Sequence, residues 1–355
     1  MISSTDNRWL HRFALVTAAA TFCLIWVGGL VTSHGAGMAV PDWPTTYGYN
    51  MFFFPISKWV GGIFYEHTHR LVASSVGLLT VILTVWLWLK ESRTWLRWLG
   101  VAALVLVVAQ GVLGGLRVTH MKDVLGVFHG TIAQMFLVLI CAIALFTSRW
   151  WVAADSEKLP VYHSRRFRYV FGIVTVLILL QLMLGATMRH QHAGLAISDF
   201  PLAYGKLWPD MDASAVARYN QARGEVTALN PITSFQVGLQ MAHRIGAVLI
   251  LVSVAWVAGM VRRQRGPAAT ALNRLSLLWL GLILVQASLG AATIWTNKAA
   301  DIATAHVAVG ALSLVTGAML TLVAVRGTVA SEATSAAEAA GHVAEDRANP
   351  AYVSA

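Results

Sequence analysis

The chain has 355 residues, 57% of them hydrophobic and 12% charged, with a mean hydropathy of +0.63. That composition excludes a soluble globular domain and points to a membrane protein. The net charge of +10 does not indicate a nucleic-acid partner, because the basic residues sit in short loops between apolar runs, where they report topology.

A bilayer-spanning helix needs ~20 mostly apolar residues. Eight runs meet this, near 13–33, 67–89, 97–116, 124–147, 168–188, 237–261, 275–295 and 302–325. The fold class is therefore an all-α integral membrane protein with eight transmembrane helices. The fourteen tryptophans fit the same class, since indoles favour the membrane interface. Cys23 and Cys141 lie inside different apolar runs, which argues for two small core residues rather than a disulfide or a thiolate metal site. The first run follows Arg8 and Arg12 like a signal peptide, but it exceeds a typical signal core and is read as a retained helix.

In chain order, residues 1–12 are read as a cytoplasmic N-terminus and 13–147 as a first four-helix half. The basic segment 148–167 is a cytoplasmic linker, 168–325 a second four-helix half, and 326–355 a disordered cytoplasmic tail rich in Ala, Ser and Glu. After the first run comes a Gly/Pro-punctuated segment, HGAGMAVPDWPTTYG, and then an aromatic patch around Phe52–Phe54 and Trp59, too short to span and expected in the interface. A longer polar stretch precedes the sixth run and is expected to hold a short amphipathic helix near 213–222. With both termini cytoplasmic, inside segments hold 16 of the 26 Lys and Arg residues. The positive-inside bias therefore predicts a multi-pass plasma (inner) membrane protein in that orientation.

Two places break the apolar pattern in the same way. Glu66-His67-Thr68-His69-Arg70 opens the second run, and Gln240-Met241-Ala242-His243-Arg244 opens the sixth. Ionisable groups entering a membrane helix are costly, which makes them functional candidates. Other segments also match. Gly37–Gly48 aligns with Gly194–Gly205, Gln110–Gly114 with Gln286–Gly290, and His129 with His306, at offsets drifting from 157 to 177. The chain thus reads as two tandem four-helix bundles, a parallel internal repeat.

Each half then carries one histidine near the start of its second helix and one near the start of its fourth. All four, His69, His129, His243 and His306, fall at similar shallow depth toward the outer face. Two facing imidazoles in a four-helix bundle can ligate the iron of one haem. Zinc or copper would want a third strong ligand at that depth, which each half lacks. Arg70 and Arg244, next to ligand histidines, suit haem propionates. His67 has Met241 as its counterpart and is the weaker ligand candidate; His34, His120, His190 and His192 lie at the outer interface without an assigned role, and His11, His163 and His342 read as solvated surface. The halves differ at Glu66, whose counterpart is Gln240. A carboxylate three residues before a ligand shares its helical face and can take protons. The N-terminal half is therefore expected to do chemistry and the C-terminal half to hold a resident cofactor.

The EHTHR motif, the HGAGMAVPDWPTTYG loop, the paired histidines and the eight-helix layout resemble the haem A synthase (CtaA/COX15) family over about residues 13–325. The resemblance implies oxidation of the C8 methyl of haem O to a formyl group, giving haem A for cytochrome oxidase. It implies haem O as substrate at His69 and His129, with Glu66 the catalytic carboxylate, and haem b at His243 and His306. It also implies haem O synthase as a partner, beside the lipid bilayer; the electron donor is not identified, and a homo-oligomer is compatible. Some bacterial members carry an outer-loop cysteine pair. No outer loop here has a cysteine, so thiol chemistry in those loops is excluded. The alternative reading is a bis-His dihaem membrane cytochrome b, which accounts for the histidines but not for the Glu66/Gln240 difference. A transporter is disfavoured because the polar residues sit at helix ends rather than at a broken midplane.

Overall fold

The computed structural model describes residues 7–153, 165–223, 231–264 and 267–348. Among them are ten α-helices: α1 (Arg8–Ser33), α2 (Gly61–Lys90), α3 (Thr94–His120), α4 (Asp123–Phe146), α5 (Arg149–Ala153), α6 (Arg165–His190), α7 (Ala213–Ala222), α8 (Ser234–Arg262), α9 (Pro267–Trp295) and α10 (Ala300–Ala348). Eight are long and apolar enough to cross a membrane, all but α5 and α7. No strand occurs among the described residues beyond two isolated bridges, Thr46–Tyr49 and Ala203–Lys206.

The eight long helices match the eight sequence runs, and most extend a few residues past them. The reason is visible at the ends. Asn7 caps α1 by accepting from the Leu10 amide, and Thr233 caps α8 in a reciprocal box with Gln236. The short helix expected near 213–222 is α7, capped by Asp212. At the C-terminus the sequence expected disorder from 326; the helix α10 instead continues to Ala348, through a segment rich in the strong helix formers Ala and Glu. Most of the expected linker, residues 154–164, lies outside the described residues, as do 1–6 and 349–355.

Helices α1, α2, α3 and α4 close a ring of neighbours, and α6, α8, α9 and α10 close a second. The rings meet along α1 and α4 on one side and α6 and α10 on the other. Two apolar cores follow from this. One joins Leu10, Leu83, Leu87, Leu96 and Ile140; the other joins Phe171, Val254, Val257, Trp279 and Leu320. A third, smaller cluster of Ile25, Leu137 and Ala311 lies on α1, α4 and α10, where the rings meet. The outward faces are as apolar as the inside: Leu78, Val105, Ile173 and Val248 are all more than half exposed. In water such a belt would be unfavourable; against lipid tails it is neutral.

Candidate haem-binding sites

The N-terminal ends of α2, α4, α8 and α10 lie at one end of the molecule, and each carries a candidate histidine about two turns in. His69 and His129 face each other with ring centroids 6.5 Å apart and ring planes at 79°. His243 and His306 do the same at 6.4 Å and 66°. The spacing has a simple meaning. A metal–imidazole nitrogen bond is about 2 Å, and each ring centre lies about 1 Å behind its nitrogen. One metal between two imidazoles therefore separates the centroids by about 6 Å.

The nitrogens agree with that arrangement. Nδ1 of His69, His129 and His243 is buried with no hydrogen-bond partner, which leaves Nε2 as the accessible nitrogen. His306 places Nδ1 3.1 Å from the Gln286 carbonyl oxygen. A backbone carbonyl is a usual partner for the second nitrogen of a ligating imidazole. Among the described residues no three His, Cys, Asp or Glu side chains gather where they could hold a metal ion. Two imidazoles without a third protein ligand suit a metal that brings its own equatorial donors. A porphyrin iron does so.

Sequence reasoning missed the glycines behind the rings. A Cβ on Gly28 would come within 3.1 Å of His69 Cε1, and on Gly185 within 3.1 Å of His243 Cε1. Gly114 stands in the same relation to His129 at 3.4 Å, and Gly290 to His306 at 3.2 Å. Each histidine thus brings its Cε1 against a neighbouring helix at a residue without a side chain. The signal was present: Gly28 and Gly185 differ by 157 positions, the offset of the matching loops, and Gly114 and Gly290 end the matching glutamine segments.

The other candidates form a second layer over the histidine end. Glu66 is buried, 3% exposed. Its Oε2 accepts from the Val40 amide at 2.9 Å, and its Oε1 pairs with Arg70 at 2.8 Å. Arg70 donates further to the carbonyls of Val40, Asp42 and Thr45. The guanidinium expected beside a propionate is thus engaged with the loop of residues 34–60. Gln240 likewise accepts from the Ile197 amide at 2.6 Å and donates to the Ile197 carbonyl, while Arg244 donates to the carbonyls of Asp199 and Leu202. In both loops an aspartate closes the turn. Asp42 accepts from Thr45 Oγ1 and from the amides of Tyr47 and Gly48, and Asp199 from those of Tyr204 and Gly205. Gly48 and Gly205 have φ of +75° and +74°, a conformation that glycine adopts without strain.

Asp42 lies outside the membrane-spanning helices. Burial pushes its carboxyl upward, but the hydrogen bonds from Gly48, Thr45 and Tyr47 outweigh it and hold the group below the ordinary aspartate value. His67 is fully buried between the rings of Phe54 and Trp59, 3.2 Å from Thr46 Oγ1, and so belongs to this loop rather than to a histidine pair. His34 stacks on Tyr65, His190 lies over Gly126, and His192 sits in the left-handed turn after α6. His11, read from sequence as solvated, instead approaches the Ala144 carbonyl at 2.9 Å, because α1 starts at Arg8 and carries it against α4.

Comparison with known proteins places the chain in a family. Residues 11–318 match the family model COX15-CtaA, cytochrome oxidase assembly protein. The chain is 27% identical over 303 residues to the Heme A synthase of Shouchella clausii, covering 82% of this chain and 89% of that protein. To the Heme A synthase of Alkalihalophilus pseudofirmus it is 28% identical over 217 residues, 60% of this chain and 70% of that one. To that of Geobacillus kaustophilus it is 27% identical over 313 residues, 84% and 86%. With the match running from the first turns of α1 into α10, the chain belongs to the COX15-CtaA family of cytochrome oxidase assembly proteins.

Proposed function

We propose that this protein is a haem A synthase, oxidising the C8 methyl of haem O to a formyl group to supply haem A to cytochrome oxidase. The observation that carries the reading is the pair of facing histidines, 6.5 and 6.4 Å apart, in each ring of a chain of this family. Haem O is placed at His69 and His129, and the resident haem b at His243 and His306. When bound, haem b supplies one-electron transfer.

Turning a methyl into a formyl group with water as the oxygen source releases four protons and four electrons, and the electrons must pass to an oxidant from outside the chain. The protons need an acceptor, and Glu66 is a buried carboxylate one turn before His69. Gln240 holds the corresponding loop of the other ring but cannot titrate. This difference supports chemistry in residues 13–147 and a holding role for residues 168–325. Arg70 and Arg244 serve both sites by pinning the loops that lie over them.

The excess of Lys and Arg in the segments 1–12, 90–97, 148–168, 262–274 and the tail supports cytoplasmic termini and haem sites toward the outer face of the plasma membrane. Supply of haem O by a haem O synthase follows from the substrate. The test is to express the chain in membranes that make haem O but no haem A, and to analyse extracted haems by mass spectrometry. Haem A or a hydroxylated haem O is the expected product. Haem B alone, at two per chain, would overturn the reading in favour of an electron-transfer cytochrome.

A further inference from the structure

The seam between the two rings carries cations that the reading above does not use. Arg189, in the last turn of α6, reaches across to α1, where it donates to the Gly29 carbonyl at 2.9 Å and to Ser33 Oγ. Ser33 in turn lies 3.0 Å from Thr304 Oγ1, two residues before His306. Gly29 follows Gly28, the residue behind His69, and a Cβ at Gly29 would touch Thr304 at 3.0 Å. Arg189 is thus tied into the backbone beside both histidine pairs. None of its partners is a carboxylate, and its Nε is buried with no partner at all.

A second cation lies in the turn leading into α10, the helix whose first turns carry the Thr304 hydroxyl that meets Ser33. Lys298 lies in the turn between α9 and α10, two residues before α10 begins, with φ of +65°. Its ammonium makes no hydrogen bond or ion pair with another described residue. Burial, and then the Arg189 charge beside it, hold it below the ordinary lysine value. Two cations brought together at a half-buried site raise the energy of the protein alone, and a bound anion removes that cost.

We propose that Arg189 and Lys298 form the carboxylate anchor of the C-terminal site, binding a propionate of the haem-type group held by His243 and His306. The inference rests on the haem reading of that histidine pair. Arg189 has the forked donor geometry that suits a carboxylate, and Lys298 supplies a point charge from the α9–α10 turn. The Ser33 and Gly29 contacts fix the arginine in place, so little side-chain freedom is lost on binding.

The test is a cycle between protein and ligand, run on the full chain in detergent. Wild type, Arg189→Gln, Arg189→Lys and Lys298→Gln are each loaded with haem B or with its dimethyl ester. Release to an excess of apomyoglobin is timed at the C-terminal site in a His69→Ala background, and a low-spin bis-imidazole spectrum reports ligation. The inference expects wild type to lose the ester about tenfold faster than the free acid. Arg189→Gln and Lys298→Gln should lose the free acid faster and discriminate less against the ester, with Arg189→Lys intermediate. Equal release of acid and ester from wild type, with the bis-imidazole spectrum intact, overturns the anchor alone. Discrimination that survives both single Gln variants overturns it equally. A His69→Ala protein that binds no haem overturns the histidine reading and the anchor together.

Discussion

Glu66 accepts a hydrogen bond from the Val40 amide at 2.9 Å, across 26 residues of chain, and so fastens the loop between α1 and α2 to α2. Gln240 makes the same contact to Ile197 with an amide oxygen. The comparison separates holding from chemistry. Glu66→Gln keeps an acceptor for Val40 and should fold and bind haem as wild type does. Loss of the titratable group should lower haem A formation by ~100-fold or more. Haem content by pyridine haemochrome, alongside product analysis, reads both; full turnover in this variant removes Glu66 from the reaction.

The glycines behind the histidines give a steric prediction. Gly185→Val places carbon atoms where the His243 ring lies 3.1 Å from a Cβ, so the ring must tilt and the paired geometry is lost. Haem stoichiometry at that site should fall below half. Gly111→Ala, with nothing within 4 Å, is the control and should retain full haem content. Equal haem content in both variants would refute a role for the close glycine–histidine packing.

Arg70 makes three hydrogen bonds to loop carbonyls besides its pair with Glu66, and lysine cannot reproduce that fork. Hydrogen bonds to charged groups are worth roughly 1.5–3 kcal/mol each, with entropy and solvation returning part of the loss. Arg70→Lys should destabilise the docked loop by about 2–3 kcal/mol, seen as faster proteolysis between residues 34 and 60. Unchanged cleavage would mean that the loop is held from elsewhere.

Asp42 gives a pH prediction with a fixed sign. Its folded-state carboxyl titrates below the ordinary 3.8, so its contribution is complete above that value and disappears as pH falls through the lower folded value. Amide protection at Tyr47 and Gly48, corrected for intrinsic exchange, should hold from pH 7 to about pH 4 and collapse below. Asp42→Asn should weaken protection at every pH and flatten the profile. A transition centred near pH 6 would point to histidine instead.

The sequence by itself determined the eight membrane helices, because a bilayer demands long apolar runs whatever they pack against. It also singled out His69, His129, His243 and His306, since imidazoles at matched depth in such runs are too costly to be incidental. Helix ends were legible only to within a few residues, because caps such as Asn7 and Asp212 act through side-chain geometry. What the tertiary structure decided was pairing. The 6.5 and 6.4 Å ring separations and the glycine behind each ring depend on which helices are neighbours. Arg70 and Arg189 show the limit most clearly. In sequence, Arg70 stands beside a ligand histidine and Arg189 at an ordinary helix end. In space, Arg70 turns to the loop carbonyls, while Arg189 crosses to α1 in the seam between the rings. A guanidinium on a long side chain is placed by whichever carbonyls the fold brings within its reach, and sequence adjacency does not record that.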